Sequence, residues 1–188
     1  MAASSELALT AREPQARARV DPAISSSEVF AAHAGYVLGL LRRLGVREAD
    51  VEDVAQDVFL VVHERLPGFQ HRSSLKTWIC GICLRKASNY RRRARHQRER
   101  LPGDLPERGV EGGQEAQLAA RQHGARLMAV LEELPDRQRE VFVLFEIEEL
   151  PMVDVARALG CPRFTAYTRL RAARKAIRAR FGGHGRST

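Results

Sequence analysis

Cysteine is scarce in this chain, long apolar runs are missing, and no stretch alternates apolar with polar residues. Each absence removes a class of protein. Three cysteines in 188 residues, an odd number, do not make the paired framework of a small secreted domain. The longest apolar runs are of the size of "VFLVV" at 58–62, far short of a bilayer span. The amino terminus has no apolar segment followed by a cleavage site, so no secretion signal is expected. Without strand alternation or an internal repeat, sheet and solenoid folds are disfavoured. These absences lead us to expect a cytoplasmic protein with reduced thiols and no membrane contact.

What is present is positive charge. Lys and Arg number 31 against 23 Asp and Glu, a formal net charge of +8, and such an excess suits a polyanionic partner such as nucleic acid. The charge is unevenly spread. Residues 85–100 hold eight Lys/Arg and one Glu, 163–180 hold seven and no acid, and 132–149 are mostly acidic. Two separated basic stripes imply two contact surfaces on the partner.

Helical periodicity organises most of the chain. Val29, Phe30, Val37, Leu40, Leu41 and Leu44 recur at helix spacing and close at Gly45. A second helix is expected from Asp50, as N-cap, with Val51, Val54, Ala55, Val58 and Val62 buried and Pro67-Gly68 as the stop. A third follows Ser73-Ser74, puts Leu75, Trp78, Ile79, Ile82 and Cys83 on one side, and runs into the arginine block. "LPGDLPERGVEGGQE" at 101–115 breaks the pattern with two prolines and four glycines and reads as a linker. Beyond it helices are expected over 118–134, 136–147, 152–159 and from Cys161-Pro162 to Phe181.

The expected architecture is therefore all-α, with two small helical domains joined by a flexible linker. The boundaries are a disordered arm at 1–24, a first domain at 25–97, a linker at 98–117, a second domain at 118–182 and a tail at 183–188.

Cys80-Gly-Ile-Cys83 beside Trp78 invites a redox or zinc reading. A redox C-x-x-C opens a helix after a strand, and zinc needs about four ligands. The nearest His is His71. Neither setting exists here, so buried packing thiols are expected. A thiol redox or zinc protein remains the distant alternative. No catalytic group, metal or cofactor is expected.

The carboxy-terminal half carries a short helix ending at Gly160, a three-residue turn and a longer basic helix, which is the plan of a helix-turn-helix. On the last helix Ala166, Leu170, Ala173 and Ile177 share the inward side. Phe164, Thr165, Thr168, Arg171 and Lys175 oppose them, with Tyr167, Arg169 and Arg174 on the flanks. Hydroxyls and guanidinium groups suit base edges, and the remaining cations suit phosphates. The competing reading is a solvated basic face of a bundle.

"LEELPDRQREVFVLFEIEELPMVDVARALGCPRFTAYTRLRAARKAIRARF" resembles the sigma-four domain of extracytoplasmic-function (ECF) sigma factors. The resemblance rests on Leu134-Pro135 with Arg139-Glu140-Val141, on Asp154-Val155-Ala156 with Leu159-Gly160, and on Thr165 with Thr168-Arg169-Leu170. "VEDVAQDVFLVVHERLPGFQHRSSLKTW" is similar to the sigma-two domain of the same family. Together the matches span about residues 27–181.

The resemblance implies a transcription initiation factor, not an enzyme. It would bind core RNA polymerase, recognise an upstream and a proximal promoter element and promote melting. It implies a polymerase dock at Glu52, Asp53, Gln56, Asp57 and Leu60, the side of the second helix opposite its apolar stripe. It implies contacts to the melted proximal element from Phe69, His71, Arg72, Ser74, Lys76, Arg85, Asn89, Tyr90, Arg91, Arg92 and Arg93. Trp78 lies on the apolar stripe and is expected in the core instead. For the upstream element it implies Arg163, Thr165, Tyr167, Thr168, Arg169, Arg171 and Lys175. An anti-sigma factor is a possible further partner. The chain departs from the family pattern at Arg85 for Asn, at Phe164 for Gly and at Pro151 for a capping Ser. Proline at a first helical position is tolerated. A helix-turn-helix regulator that acts without polymerase is the nearer alternative; it would have no use for the acidic face.

Overall fold

The computed structural model describes residues 25–100 and 115–182, with side chains over 25–97 and 124–180. The expected arm, the core of the linker and the tail lie outside the described residues. Among the described residues there is no strand. The first half is α1 (Ser26–Arg43), α2 (Val51–Arg65) and α3 (Leu75–Arg100); the second is α4 (Glu115–Glu133), α5 (Asp136–Phe142), α6 (Met152–Ala158) and α7 (Arg163–Gly182). Helix α3 outlasts the expected boundary at 97 and α4 begins before 118, so both helices consume residues assigned to the linker.

Local signals set most of these ends. Ser25 caps α1 in a capping box, accepting from the Glu28 amide at 3.2 Å while its own N–H donates to the Glu28 carboxylate at 2.8 Å. Gly45 ends α1 with φ of 87°, the Gly45 amide reaching the Arg42 carbonyl and the Val46 amide the Leu41 carbonyl. Gly160 (φ 59°) ends α6 the same way, with amide bonds from Gly160 to Arg157 and from Cys161 to Ala156. Both are Schellman endings, which need the left-handed conformation that glycine adopts without strain. At Gly45 a Cβ would also lie 1.9 Å from Arg139 Nη1, so a side chain there collides with the second half.

Other ends differ from expectation. Asp50 precedes α2 but makes no capping bond; its carboxylate instead accepts from the Tyr90 hydroxyl and from Arg47 Nε at 3.1 Å. Pro151 occupies the N-cap of α6 and not its first helical position. The helix expected over 136–147 changes at Val143 into a π-helical turn, Val143–Ile147. That wider turn carries the Glu148 amide back to the Val143 carbonyl at 2.9 Å.

The core is continuous through both halves. Val51, Val54, Ala55, Val58 and Val62 are all buried, as are Val29, Val37, Leu40, Leu41, Leu44, Ile79, Ile82 and Cys83. Leu131, Leu134, Val141, Leu144, Val155, Ala166, Leu170 and Ala173 continue the same cluster. Phe30, at helical spacing with Val37, Leu41 and Leu44, is 53% exposed, its ring meeting the edge of Phe59 at 4.8 Å. No helix is long and apolar enough to cross a membrane among the described residues.

Candidate functional site

Three surfaces emerge from this packing. The first is the outer face of α2. Burial of its valine stripe leaves Glu52, Asp53, Gln56 and Asp57 exposed on the opposite side, and Leu60 stands among them 61% exposed. An apolar side chain ringed by carboxylates suits a partner with a small apolar pocket in a basic surround. Asp57 is shared, lying 3.4 Å from Lys86 Nζ of α3.

The second surface surrounds the α2–α3 connection. Phe69 stacks at a tilt on His71, 4.6 Å between ring centroids, and on Trp78 at 5.0 Å. His71 adopts φ of 51°, uncommon for a residue other than glycine. Phe69 and Trp78 border a hollow of about 470 Å³ whose lining also includes Glu64, Arg65, Gln70 and Arg72. Trp78, expected in the core, is only half-buried and forms part of this wall. A hollow with aromatic walls and flanking arginine is what an unstacked base requires. Ser74 spends its hydroxyl locally, accepting from the Thr77 amide at 3.1 Å as the cap of α3.

Not every residue expected at this surface faces solvent. Arg85, Asn89, Arg92 and Arg93 do. Arg91 does not: it is 8% exposed and its guanidinium binds Glu140 of α5 and the Leu44 carbonyl. Arg91 Nε also lies 3.2 Å from Asp136, which Arg95 reaches at 2.6 Å. Lys76 approaches Glu148 at 3.5 Å and lies 4.7 Å above the Tyr36 ring, and Arg43 reaches Glu148 at 2.7 Å. Burial, followed by the nearby Cys80 thiol and Glu148 carboxylate, raises the Tyr36 pKa. Tyr90 is half-buried, with its hydroxyl taken up by Asp50 and Arg47.

The acidic stretch of the second half thus neutralises part of the basic stripe of the first. Sequence periodicity carried the signal for Arg91: Cys83, Ala87 and Arg91 follow one another at four-residue steps along the inward side of α3. Buried charge demands a partner, and only the folded chain supplies Glu140. Arg139 is buried too, donating to the carbonyls of Leu131, Glu132 and Leu134 and so closing the end of α4.

The third surface is α7, the second helix of the helix-turn-helix formed with α6. Ala166, Leu170 and Ala173 are buried and Ile177 is half-buried, as the period requires. Arg163, Phe164, Tyr167, Thr168, Arg171 and Lys175 are exposed, and Thr165 and Arg169 are partly so. Thr168 donates its hydroxyl to the Phe164 carbonyl at 3.0 Å, which leaves it only acceptor capacity toward a base. Arg174 is held by Glu146 at 2.6 Å.

Cys80 and Cys83 are both free and buried within α3. Burial pushes the Cys80 thiol up to about 11 and raises Cys83 likewise, the reverse of an activated thiolate. Among the described residues no group of three or more His, Cys, Asp or Glu is placed to hold a metal ion.

Residues 29–97 match the family profile described as Sigma-70 region 2, and 124–177 that of Sigma-70, region 4. The chain is 34% identical over 142 residues to the RNA polymerase sigma factor CnrH of Cupriavidus metallidurans, covering 71% of this chain and 74% of that one. It is 28% identical over 128 residues to the ECF RNA polymerase sigma factor SigC of Mycobacterium tuberculosis, covering 68% of each. Its fold is similar to that of CnrH in complex with the cytosolic domain of CnrY, with a TM-score of 0.60 and 25% identity over 85% of this chain and 89% of that one. It is also similar in fold to RpoE of Bartonella quintana in complex with the anti-sigma factor NepR, with a TM-score of 0.64 and 19% identity over 83% and 96% of the two chains.

Proposed function

The chain belongs to the ECF family of RNA polymerase sigma factors, and we propose that it does three things in initiation: docks core polymerase through α2, captures the melted proximal element around the α2–α3 hollow, and reads the duplex upstream element with α7. The observation that carries this reading is the outer face of α2, where Leu60 is exposed among Glu52, Asp53, Gln56 and Asp57. A regulator that only binds DNA gains nothing from an acidic, apolar-tipped face turned away from its own core, whereas a polymerase-bound factor needs a dock.

The hollow beside Phe69 and Trp78 takes an unstacked base, while exposed Arg72, Arg85, Arg92 and Arg93 hold the strand. On α7, Arg171 and Tyr167 face base edges, and Arg163, Arg169 and Lys175 face phosphates. Arg91 joins the DNA-binding surface only when the second half moves off the first, because its buried charge is engaged by Glu140, whereas Lys76 stays open to solvent beside Glu148. An anti-sigma factor is a further proposed partner, by similarity to the CnrH and RpoE complexes.

Promoter-specific transcription by core polymerase with and without the full chain tests the proposal. Specific initiation only when the chain is added supports it. DNA binding by the free chain, with no binding to core polymerase, would transfer the protein to the class of ordinary helix-turn-helix regulators.

A further inference from the structure

Phe164 is the second residue of α7 and is 81% exposed. An aromatic ring left in water this completely gives little to the fold, so it is free to serve a partner. Its surroundings narrow that partner. Arg163, Tyr167 and Arg171 are exposed near it on the same helix, and α7 holds seven Lys/Arg over 163–180 with no acid. The first turns of the second helix in a helix-turn-helix are the part that meets base edges. Thr168, one turn on, has already turned its hydroxyl proton to the Phe164 carbonyl at 3.0 Å. The leading turn therefore presents an apolar ring at its tip.

Resting on the promoter-reading role of α7, we propose that Phe164 reads the 5-methyl group of a thymine in the upstream element and so determines specificity there. A phenyl ring has no donor or acceptor for the polar edges of guanine, adenine or cytosine. Pressed against them, it strips their water without compensation. The thymine methyl is the one apolar feature that the four bases offer in the major groove. Burying one methyl group corresponds to about a fourfold gain in affinity, which sets the size of the effect to look for.

Deoxyuridine differs from thymidine in DNA only by lacking that methyl. Holoenzyme assembled from core polymerase and the full chain would first select an upstream element from a randomised duplex pool. Each thymine of the selected element would then be replaced by deoxyuridine, one at a time. At one thymine, or two adjacent ones, the replacement is expected to weaken wild-type binding about fourfold, whereas Phe164→Ala binds both forms equally. Phe164→Leu, which keeps an apolar tip, is expected to retain part of the discrimination. The proposal is overturned if no thymine is sensitive, or if Phe164→Ala discriminates as wild type does. It is equally overturned if Phe164→Ala loses affinity for core polymerase while the response to deoxyuridine persists, since the ring then serves a protein contact. A pool yielding no enriched element would remove the promoter reading itself, and this proposal with it.

Discussion

Arg91 of α3 and Glu140 of α5 form a buried ion pair across the two halves of the chain, with the Arg91 side chain 8% and the Glu140 side chain 2% exposed. The pair joins the basic stripe of α3 to the acidic stretch of the second half. Removing one partner of a buried pair typically costs about 3–5 kcal/mol, because a charge is left without water or counter-charge. Parting of the halves would rehydrate Arg91 and relieve that cost. Glu140→Ala is therefore expected to raise the radius of gyration and to strengthen binding of the free chain to single-stranded proximal-element DNA, with α-helix content nearly unchanged. Small-angle scattering, circular dichroism and a DNA titration would be run on the same samples. An equally compact variant that simply loses stability would place the pair in a purely structural role.

The proposed dock on α2 should divide into stronger and weaker contacts. Leu60 is open to solvent and Asp53 is exposed opposite the buried stripe, whereas Asp57 already faces Lys86 at 3.4 Å. Leu60→Ala and Asp53→Lys should each weaken core polymerase binding by about 1–2 kcal/mol. Both should leave the midpoint of unfolding within about 0.5 kcal/mol of wild type, as exposed positions do. Asp57→Lys should also disturb α3 through Lys86. Equilibrium binding to core polymerase beside urea unfolding curves would separate the two kinds of loss; unaltered binding in the first two variants would refute the dock.

The thiols give a pH dependence with a definite sign. Burial raises Cys80 from 9.0 to about 11, so the folded chain holds this proton more tightly than the unfolded chain. Its stabilising contribution is complete below pH about 9 and is lost as pH rises through about 11; the Cys83 shift acts in the same direction. Denaturant midpoints should fall across that window, and less steeply in Cys80→Ala. At neutral pH, Cys161, which is half-buried, should alkylate first, and Cys80 and Cys83 only with unfolding. Rapid labelling of all three would contradict the burial.

Helix α7 should show two kinds of arginine and lysine effect. Arg171→Ala is expected to cost about 1–3 kcal/mol at the cognate upstream element and to relax preference at one base pair. Arg163→Ala and Lys175→Ala should weaken matched and scrambled duplexes alike, each lowering the salt slope by about one. A salt series on both duplexes distinguishes them. Equal weakening of both duplexes by Arg171→Ala would make it a phosphate contact.

Periodicity and glycine chemistry made much of this protein legible in its sequence. The Val51–Val62 stripe, the inward Ala166, Leu170 and Ala173, and the helix ends at Gly45 and Gly160 follow from 3.6 residues per turn and from the conformation that glycine alone takes freely. Once a stripe must be buried, the opposite face is exposed, so the α2 and α7 surfaces came with it. The fates of individual polar and aromatic side chains did not. Arg91, Arg92 and Arg93 are equivalent as letters, yet only Arg91 meets an acid from 49 positions away. Trp78 satisfied the apolar period and still became a wall of a hollow, because that hollow exists only where the α2–α3 connection folds back. The π-helical turn at Val143–Ile147 precedes Glu148, which sits between Arg43 and Lys76. Such choices depend on what lies across the interface, and distance in space between remote residues is set by tertiary packing.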